Sequence, residues 1–341
     1  KSTRAVLELF IDLQGDVPVS QITREMVQSF RGYLARLPSR GEGSRKLSAM
    51  QLIAKADAEG LPRAQPATIR NKLRALSAVL SHGVRMNWIP ENPVIASGVG
   101  KAAAKAATKR ISKRRKDYTP QELARIFASP IYASERGWEG VSPDYGRAWY
   151  WMPLLMYYTG ARREEVAQLM ADEVRAEGGI PYLSILEALD DDDDLGRGVK
   201  NLGSRRRIPL HPDLLARGFL AYVDSVPSGG QLFPRLKPNP AGYYGANFGK
   251  HWGKYLRDVL KLGASASPSH GFRHTFKTLC RQVGIPEDVH DAITGHTGSG
   301  GVARDYGEMP LSRMAEELAQ FPAVVTHLSG NLGNSPSRIG L

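Results

Sequence analysis

The chain of 341 residues contains one cysteine, Cys280, so no internal disulfide can form and a reducing cytoplasm fits. It also has little in the way of long apolar runs. The longest, Ala148 to Tyr158, includes Pro153 and falls far short of the length of a membrane-spanning helix. No secretory signal is visible. The chain opens at Lys1, without a methionine and inside a helical pattern, so a preceding segment is expected to have been removed. Acidic residues are in deficit. Asp and Glu number 34 against 46 Lys and Arg, and the resulting +12 charge points to a polyanionic partner, nucleic acid ahead of an anionic membrane. None of the glycine-rich nucleotide motifs is present.

What remains is globular in composition, with 42% hydrophobic and 23% charged residues, and too long for one ordinary core. Two domains are expected. Residues 1–96 read as all-helical: Val27, Phe30, Leu34 and Leu37 make one stripe after Thr23, and Ile69, Leu73, Leu76, Val79 and Leu80 make another. Arg70 and Arg74 add a basic line along the second helix. "WIPENPV" (88–94) then stops it with two prolines. From Ser97 to Lys116 there are eight Lys or Arg and no acid, which predicts a basic interdomain linker over 97–117 lying along a phosphate backbone. Lys101, Lys105, Lys109 and Arg110 are its candidate DNA contacts, joined by Arg205 further on.

A second domain, 118–321, opens at "TPQE", where Thr119 is a helix cap, Pro120 the first helical residue and Glu122 the close of a capping box. Helical stretches follow to about Met170. "YLSIL" (182–186) and "RRRIPL" (205–210) have strand composition and predict one antiparallel pair, and helices return from about 212. The fold class expected is mainly α with a small antiparallel β-sheet. Residues 322–341 form a Pro-, Ser- and Gly-rich tail.

The chemistry concentrates in five short pieces of the second domain. "YYTGARREEVAQL" places Arg162 just after a Thr-Gly turn, at a helix start. "GVKNLGSRRRIPLH" places Lys200 before a basic strand. "SPSHGFRHTFKTLC" gives His270 and Arg273 at the first turn of a helix whose Phe272, Phe276, Leu279 and Val283 form one stripe. "DAITGHTGSGG" places His296 after a helix-ending Gly295, and "VARDYGE" holds Tyr306. A helix start already favours an anion, and two guanidiniums that never lose their proton suit a phosphodiester.

At these residues the chain resembles the tyrosine recombinase (phage integrase) family. That signature is an arginine in a T-G-x-R turn, a lysine on a β-hairpin, H-x-x-R, G-H and a nucleophilic tyrosine, and every element occurs here in order. The resemblance implies a two-domain architecture, a helical core-binding domain plus an α+β catalytic domain, closing as a C-shaped clamp on double-stranded DNA. It implies strand cleavage and rejoining through a 3′-phosphotyrosyl link made by Tyr306. Arg162 and Arg273 would hold the scissile phosphate, and His270 would bind it or help take the tyrosine proton. Lys200 would protonate the leaving hydroxyl, and His296 would bind the phosphate beside it. Neither metal nor cofactor is required, since the phosphotyrosine conserves the bond. A homotetramer on synapsis, accessory DNA-bending proteins and a bacterial nucleoid-associated location in the cytoplasm are further implications. The sequence departs from the family's pattern at Ala303, where threonine is common, and at Glu308, where histidine is.

Plainer readings stand beside these. His274 is four residues from His270, a zinc-compatible spacing, but Gly271 sits where a metalloprotease helix has glutamate, so packing is favoured for His274. "DDDDD" (190–194) lacks the alternation of a calcium loop and reads as a solvated insertion in the hairpin. His82, His211, His251, His290 and His327 are expected to be structural or surface residues. Residues 279–296 also scan as a helix–turn–helix, which supports a non-catalytic DNA-binding regulator. A type IB topoisomerase shares the tyrosine chemistry but resembles K-x-x-R where this chain has His270 and Arg273. Finally, Leu311, Met314 and Leu318 make an apolar stripe past Tyr306. It can fold back on its own domain, but the resemblance implies that 311–325 docks in trans on a neighbouring subunit.

Overall fold

The computed structural model describes residues 2–39, 47–109, 116–134, 136–185, 205–263, 266–296 and 308–324. The chain divides into two compact units, the first holding the described residues up to Lys109 and the second those from Lys116.

The first unit is helical: α1 (Ser2–Gln14), α2 (Arg24–Arg36), α3 (Ala49–Ala58), α4 (Pro66–Arg85), α5 (Pro93–Ala96) and α6 (Val99–Lys109). Thr23 caps α2 by accepting the Met26 N–H, and Ser48 closes a capping box on α3. The predicted stripes become the core. Val27, Phe30 and Leu34 of α2 and Leu73, Leu76 and Leu80 of α4 are buried, each contributing about 1.5–3 kcal/mol by leaving water. Asn92 ties down the proline-rich corner. Its side-chain amide donates to the Ser77 carbonyl and to Ser81 Oγ, while its Oδ1 accepts the Val94 N–H.

The linker expectation over 97–117 requires correction. Val99 and Ala103, one turn apart, are buried in this core, and α6 packs on α4. Two small apolar residues at helical spacing suffice to dock a helix, and Lys101 and Lys105 are exposed away from them. Just past that stretch, Tyr118 belongs to the second unit, as expected: its N–H donates to Thr275 Oγ1 and its hydroxyl to the Pro268 carbonyl.

The second unit contains α7 (Pro120–Phe127), α8 (Ala148–Thr159), α9 (Arg163–Ala167), the strands β1 (Val174–Glu177), β2 (Ile180–Ile185) and β3 (Arg206–Pro209), then α10 (Pro212–Ala216), α11 (Phe219–Asp224), α12 (Gly245–Asp258), α13 (His270–Val283), α14 (Glu287–Thr294) and α15 (Leu311–Leu318). The capping box of Thr119 and Glu122 forms as expected. Every residue of α8 is buried, which is why its sequence is apolar all round rather than striped. α13 packs on α8 and buries Phe272, Phe276 and Cys280.

The sheet is antiparallel in the order β1-β2-β3, with Leu183 opposite both Val174 and Ile208. The expected pair is thus β2 with β3. β1 is an additional edge strand, reached through Gly178 and Gly179, whose positive φ angles of 58° and 79° suit a two-residue hairpin turn. Docking of 311–325 in trans also requires correction. Leu311, Met314 and Leu318 are buried within their own unit, where α15 packs on β3 and α14. The chain beyond is strapped down as well: the Pro322 carbonyl accepts from Tyr157, and the Val324 N–H donates to Tyr158 Oη. The packed body therefore runs past 321 to at least Val324. Among the described residues, no helix is long and apolar enough to cross a membrane.

Candidate active site

The site begins where α8 ends. Gly160 closes that helix in the left-handed region at φ 59°, and a Cβ there would lie 2.8 Å from Phe276 and 2.9 Å from Thr294. Both the backbone conformation and the close approach require glycine. The turn delivers Arg162 as the N-cap of α9. Its own N–H donates to Glu165 Oε2 at 2.7 Å, and its guanidinium Nη1 donates to Glu165 Oε1 at 3.1 Å.

Glu165 is the electrostatic hinge of this corner. Arg206, on β3, grips the same carboxylate at 2.7 Å and 3.1 Å and donates from Nε to the Ile293 carbonyl of α14. Burial pushes the Glu165 carboxyl up, but Arg206, and after it Arg162, outweighs that and holds it at about 2. Arg206 thereby joins β3, α9 and α14.

α13 supplies the second arginine. The Pro268 carbonyl accepts from both Tyr118 Oη and Trp252 Nε1, fixing the path of the chain into the helix. Arg273 follows one turn in, is 6% exposed, and donates from Nη1 to the Gly160 carbonyl at 2.9 Å. The two arginines are therefore built from one turn: Arg162 extends from it and Arg273 braces against it. His270 begins α13, where the aligned peptide dipoles favour negative charge. Its ring meets that of His274 edge-on at 4.7 Å. Burial, followed by His270, Lys116 and Arg273, pushes His274 down to about 4, so it stays neutral, and the surrounding cations oppose a metal dication between the two rings.

His296 stands just beyond Gly295, which ends α14 at φ 67° and whose Cβ would crowd Arg206 Nη1 at 3.0 Å. The His296 ring is largely exposed and held below its ordinary value, by burial first and Lys277 next. Lys277 pairs with Asp291 at 2.7 Å.

Arg162, His270, Arg273 and His296 line one cleft of about 540 Å³, together with Lys116, Lys277 and Arg281. Asp117 is the only acid among the described lining residues, so the lining is predominantly cationic. Glu287, His290 and Asp291 stand close enough to suggest a cation site, but Asp291 is already engaged by Lys277. Lys200 and Tyr306 lie outside the described residues, as do the aspartate run 190–194, Arg110 and the side chain of Lys109. Of the other candidate DNA contacts, Arg74, Lys101, Lys105 and Arg205 are exposed and Arg70 is half-buried. The sequence reading did not single out Glu165, Arg206, Lys277 or Asp291. Spacing carried a signal for two of them, since Glu165 is three residues from Arg162 and Lys277 four from Arg273.

Three solved integrase structures share this architecture. The Tn1549 transposon integrase, in complex with circular intermediate DNA, superposes with a TM-score of 0.53 at 16% identity, over 92% of this chain and 91% of that one. The lambda integrase tetramer bound to a Holliday junction gives 0.51 at 15% identity, over 87% and 71%. A lambda integrase dimer bound to a COC′ core site gives 0.50 at 14% identity, over 91% and 90%. No family model and no curated protein matches the chain by sequence. At these identities the likeness defines the fold: mostly helical with a small three-stranded antiparallel sheet, the architecture of integrase catalytic domains, as the sequence led one to expect.

Proposed function

We propose that this protein is a site-specific DNA recombinase that cleaves and rejoins strands through a 3′-phosphotyrosyl intermediate. One observation carries the reading: Arg162, His270, Arg273 and His296, spread over the sequence from 162 to 296, line a single cleft rich in cations. The integrase fold, with solved relatives bound to DNA, supports it. In this reading the two guanidiniums hold the non-bridging oxygens of the scissile phosphate with charge-assisted hydrogen bonds, and each such donor is typically worth ~10²–10³ in rate. Tyr306 Oη attacks phosphorus and gives up its proton to a base such as His270. The bond to the 5′ oxygen breaks, and Lys200 returns a proton to that leaving alkoxide. Attack by a 5′-hydroxyl of another strand reverses each transfer and reseals the backbone. Exchange between two duplexes needs four such cuts, so a homotetramer on synapsed DNA is the working assembly.

The regulator reading fares worse on one physical point. α14 would be the recognition helix, yet its exposed face carries Glu287 and Asp288 while Val289, His290 and Ile293 are buried. Acids on that face repel phosphate.

The test is a pool of randomised, nicked suicide duplexes offered to the full chain. Wild type is expected to retain DNA covalently after denaturation, with the adduct mapping to Tyr306. Tyr306→Phe is expected to bind duplex as before and form no adduct. An adduct that survives that substitution, or none from the wild type, defeats the assignment.

A further inference from the structure

The cleft holds a cation that the chemistry above does not use. Lys277 lies one turn beyond Arg273 on α13, so the two side chains leave neighbouring points on one helix face, and both line the cleft. Its side chain is 16% exposed, and Nζ sits 2.7 Å from Asp291 Oδ1. The Asp291 side chain is itself only 14% exposed and faces three partners. Besides Lys277, His290 Nδ1 lies 3.1 Å from Oδ1, and His296 Nδ1 lies 3.9 Å from Oδ2. A single carboxylate on α14 thus pairs with a lysine from α13 and stands beside Nδ1 of the His296 ring. With Nδ1 toward the acid, Nε2 lies on the opposite edge of the ring.

An ordinary structural ion pair is the competing explanation. Such pairs, once dehydrated, contribute little net stability compared with apolar side chains of the same volume. A lysine placed beside Arg273 in an anion cleft has a different use. Its ammonium carries three donors and the pair with Asp291 does not exhaust them.

We propose that Lys277 is a further phosphate-binding residue of this cleft, and that Asp291 is a positioning residue for both Lys277 and His296. The inference rests on the reading of the cleft as a phosphodiester site. Binding of DNA would then place a phosphate against an ammonium that Asp291 already holds at the cleft, next to the oxygens held by Arg162 and Arg273.

Two measurements on the full chain test this. In the first, tungstate, a tetrahedral dianion of phosphate shape, is titrated calorimetrically. In the second, adduct formation is timed at saturating concentrations of a duplex recovered from the randomised pool. Lys277→Met combined with Asp291→Asn removes both charges together, so no buried acid is stranded. Loss of one charge-assisted donor predicts roughly ten- to a hundredfold weaker tungstate binding and slower cleavage, with melting close to wild type. Lys277→Arg keeps both charge and pairing and is expected to stay near wild type in both assays. If the double variant does not fold, Lys277→Gln carries the same expectation. Asp291→Asn alone is expected to slow cleavage at saturation, an effect that Asp291→Glu restores. A double variant that binds tungstate and cleaves like wild type reduces the pair to a structural bridge and overturns the proposal. An unchanged rate in Asp291→Asn removes the positioning role. Wild type that binds tungstate through Lys277 yet never forms an adduct defeats the recombinase reading while leaving the anion site in place, so the two failures are told apart.

Discussion

His211 shows how far a single side chain can be decided by its neighbours. It caps α10 by accepting the Asp213 N–H at Nδ1, and its Nε2 meets the Phe321 carbonyl at 2.9 Å. A carbonyl only accepts, so Nε2 carries the proton and the ring is neutral. It is also 4% exposed and stacked on Tyr158, and burial pushes it down to about 4. A histidine lowered in the folded state contributes fully above its ordinary value near 6.5 and loses that contribution as the pH falls toward 4. The loss is on the order of 3 kcal/mol. Urea denaturation between pH 7 and pH 4.5 is therefore expected to show stability declining with acid. His211→Asn keeps a capping oxygen and should flatten the decline, whatever it does to stability at neutral pH. A residual slope belongs to His274, His290 and His296, each also held down by burial. None of this was legible in sequence, where His211 had no visible partner: its contacts come from residues up to 110 positions away. The opposite holds for Arg162 and Arg273, whose local motifs announced their helix starts, although not the carbonyl that joins them.

Elements were readable to the extent that their signals were local. Capping boxes, proline stops and stripes such as Val27, Phe30 and Leu34 are written into a few consecutive residues, and α2, α4 and α7 follow them. α6 was not readable, because two residues of modest size, Val99 and Ala103, dock a helix whose remaining composition is that of a solvated linker. β1 escaped for a related reason. As an exposed edge it needs no apolar alternation, and only Gly178–Gly179 betrays its hairpin. The α8–α9 turn lies at the other extreme, since nothing but glycine fits at 160. Gly160→Ala adds a Cβ within 2.8 Å of Phe276 at a positive φ and is expected to cost about 1–3 kcal/mol, read as a lowered unfolding midpoint. Because the same residue's carbonyl braces Arg273, adduct formation should slow by more than the lost stability accounts for. Gly178→Ala, at a positive φ but with open space around it, provides the control.

At the scale of the whole molecule, charge was the most legible property and placement the least. A surplus of +12 points to a polyanionic partner, and the two units carry their cations differently. In the second unit, cations line a cleft beside the arginine turn. In the first, Lys101 and Lys105 stand exposed on α6, about half a turn away from the buried Val99 and Ala103. Duplex binding is expected to weaken steeply with salt, with a log–log slope of about −0.9 per phosphate contacted. Replacing Lys101 and Lys105 by Gln should reduce that slope by about 1.8 and weaken random and recovered duplexes alike, as fluorescence anisotropy would register. A slope unchanged by the double substitution would mean that α6 stays clear of the backbone.

Arg273 leans on the carbonyl two residues before Arg162, so both cations stand at a fixed spacing before any ligand arrives. Bringing two like charges together is unfavourable, and here folding has already met that penalty, with the Glu165 carboxylate as counterweight. Under the recombinase reading proposed above, an arriving oxyanion would meet dipoles and charges that need no rearrangement, which is the condition under which such groups favour a transition state over the ground state that precedes it.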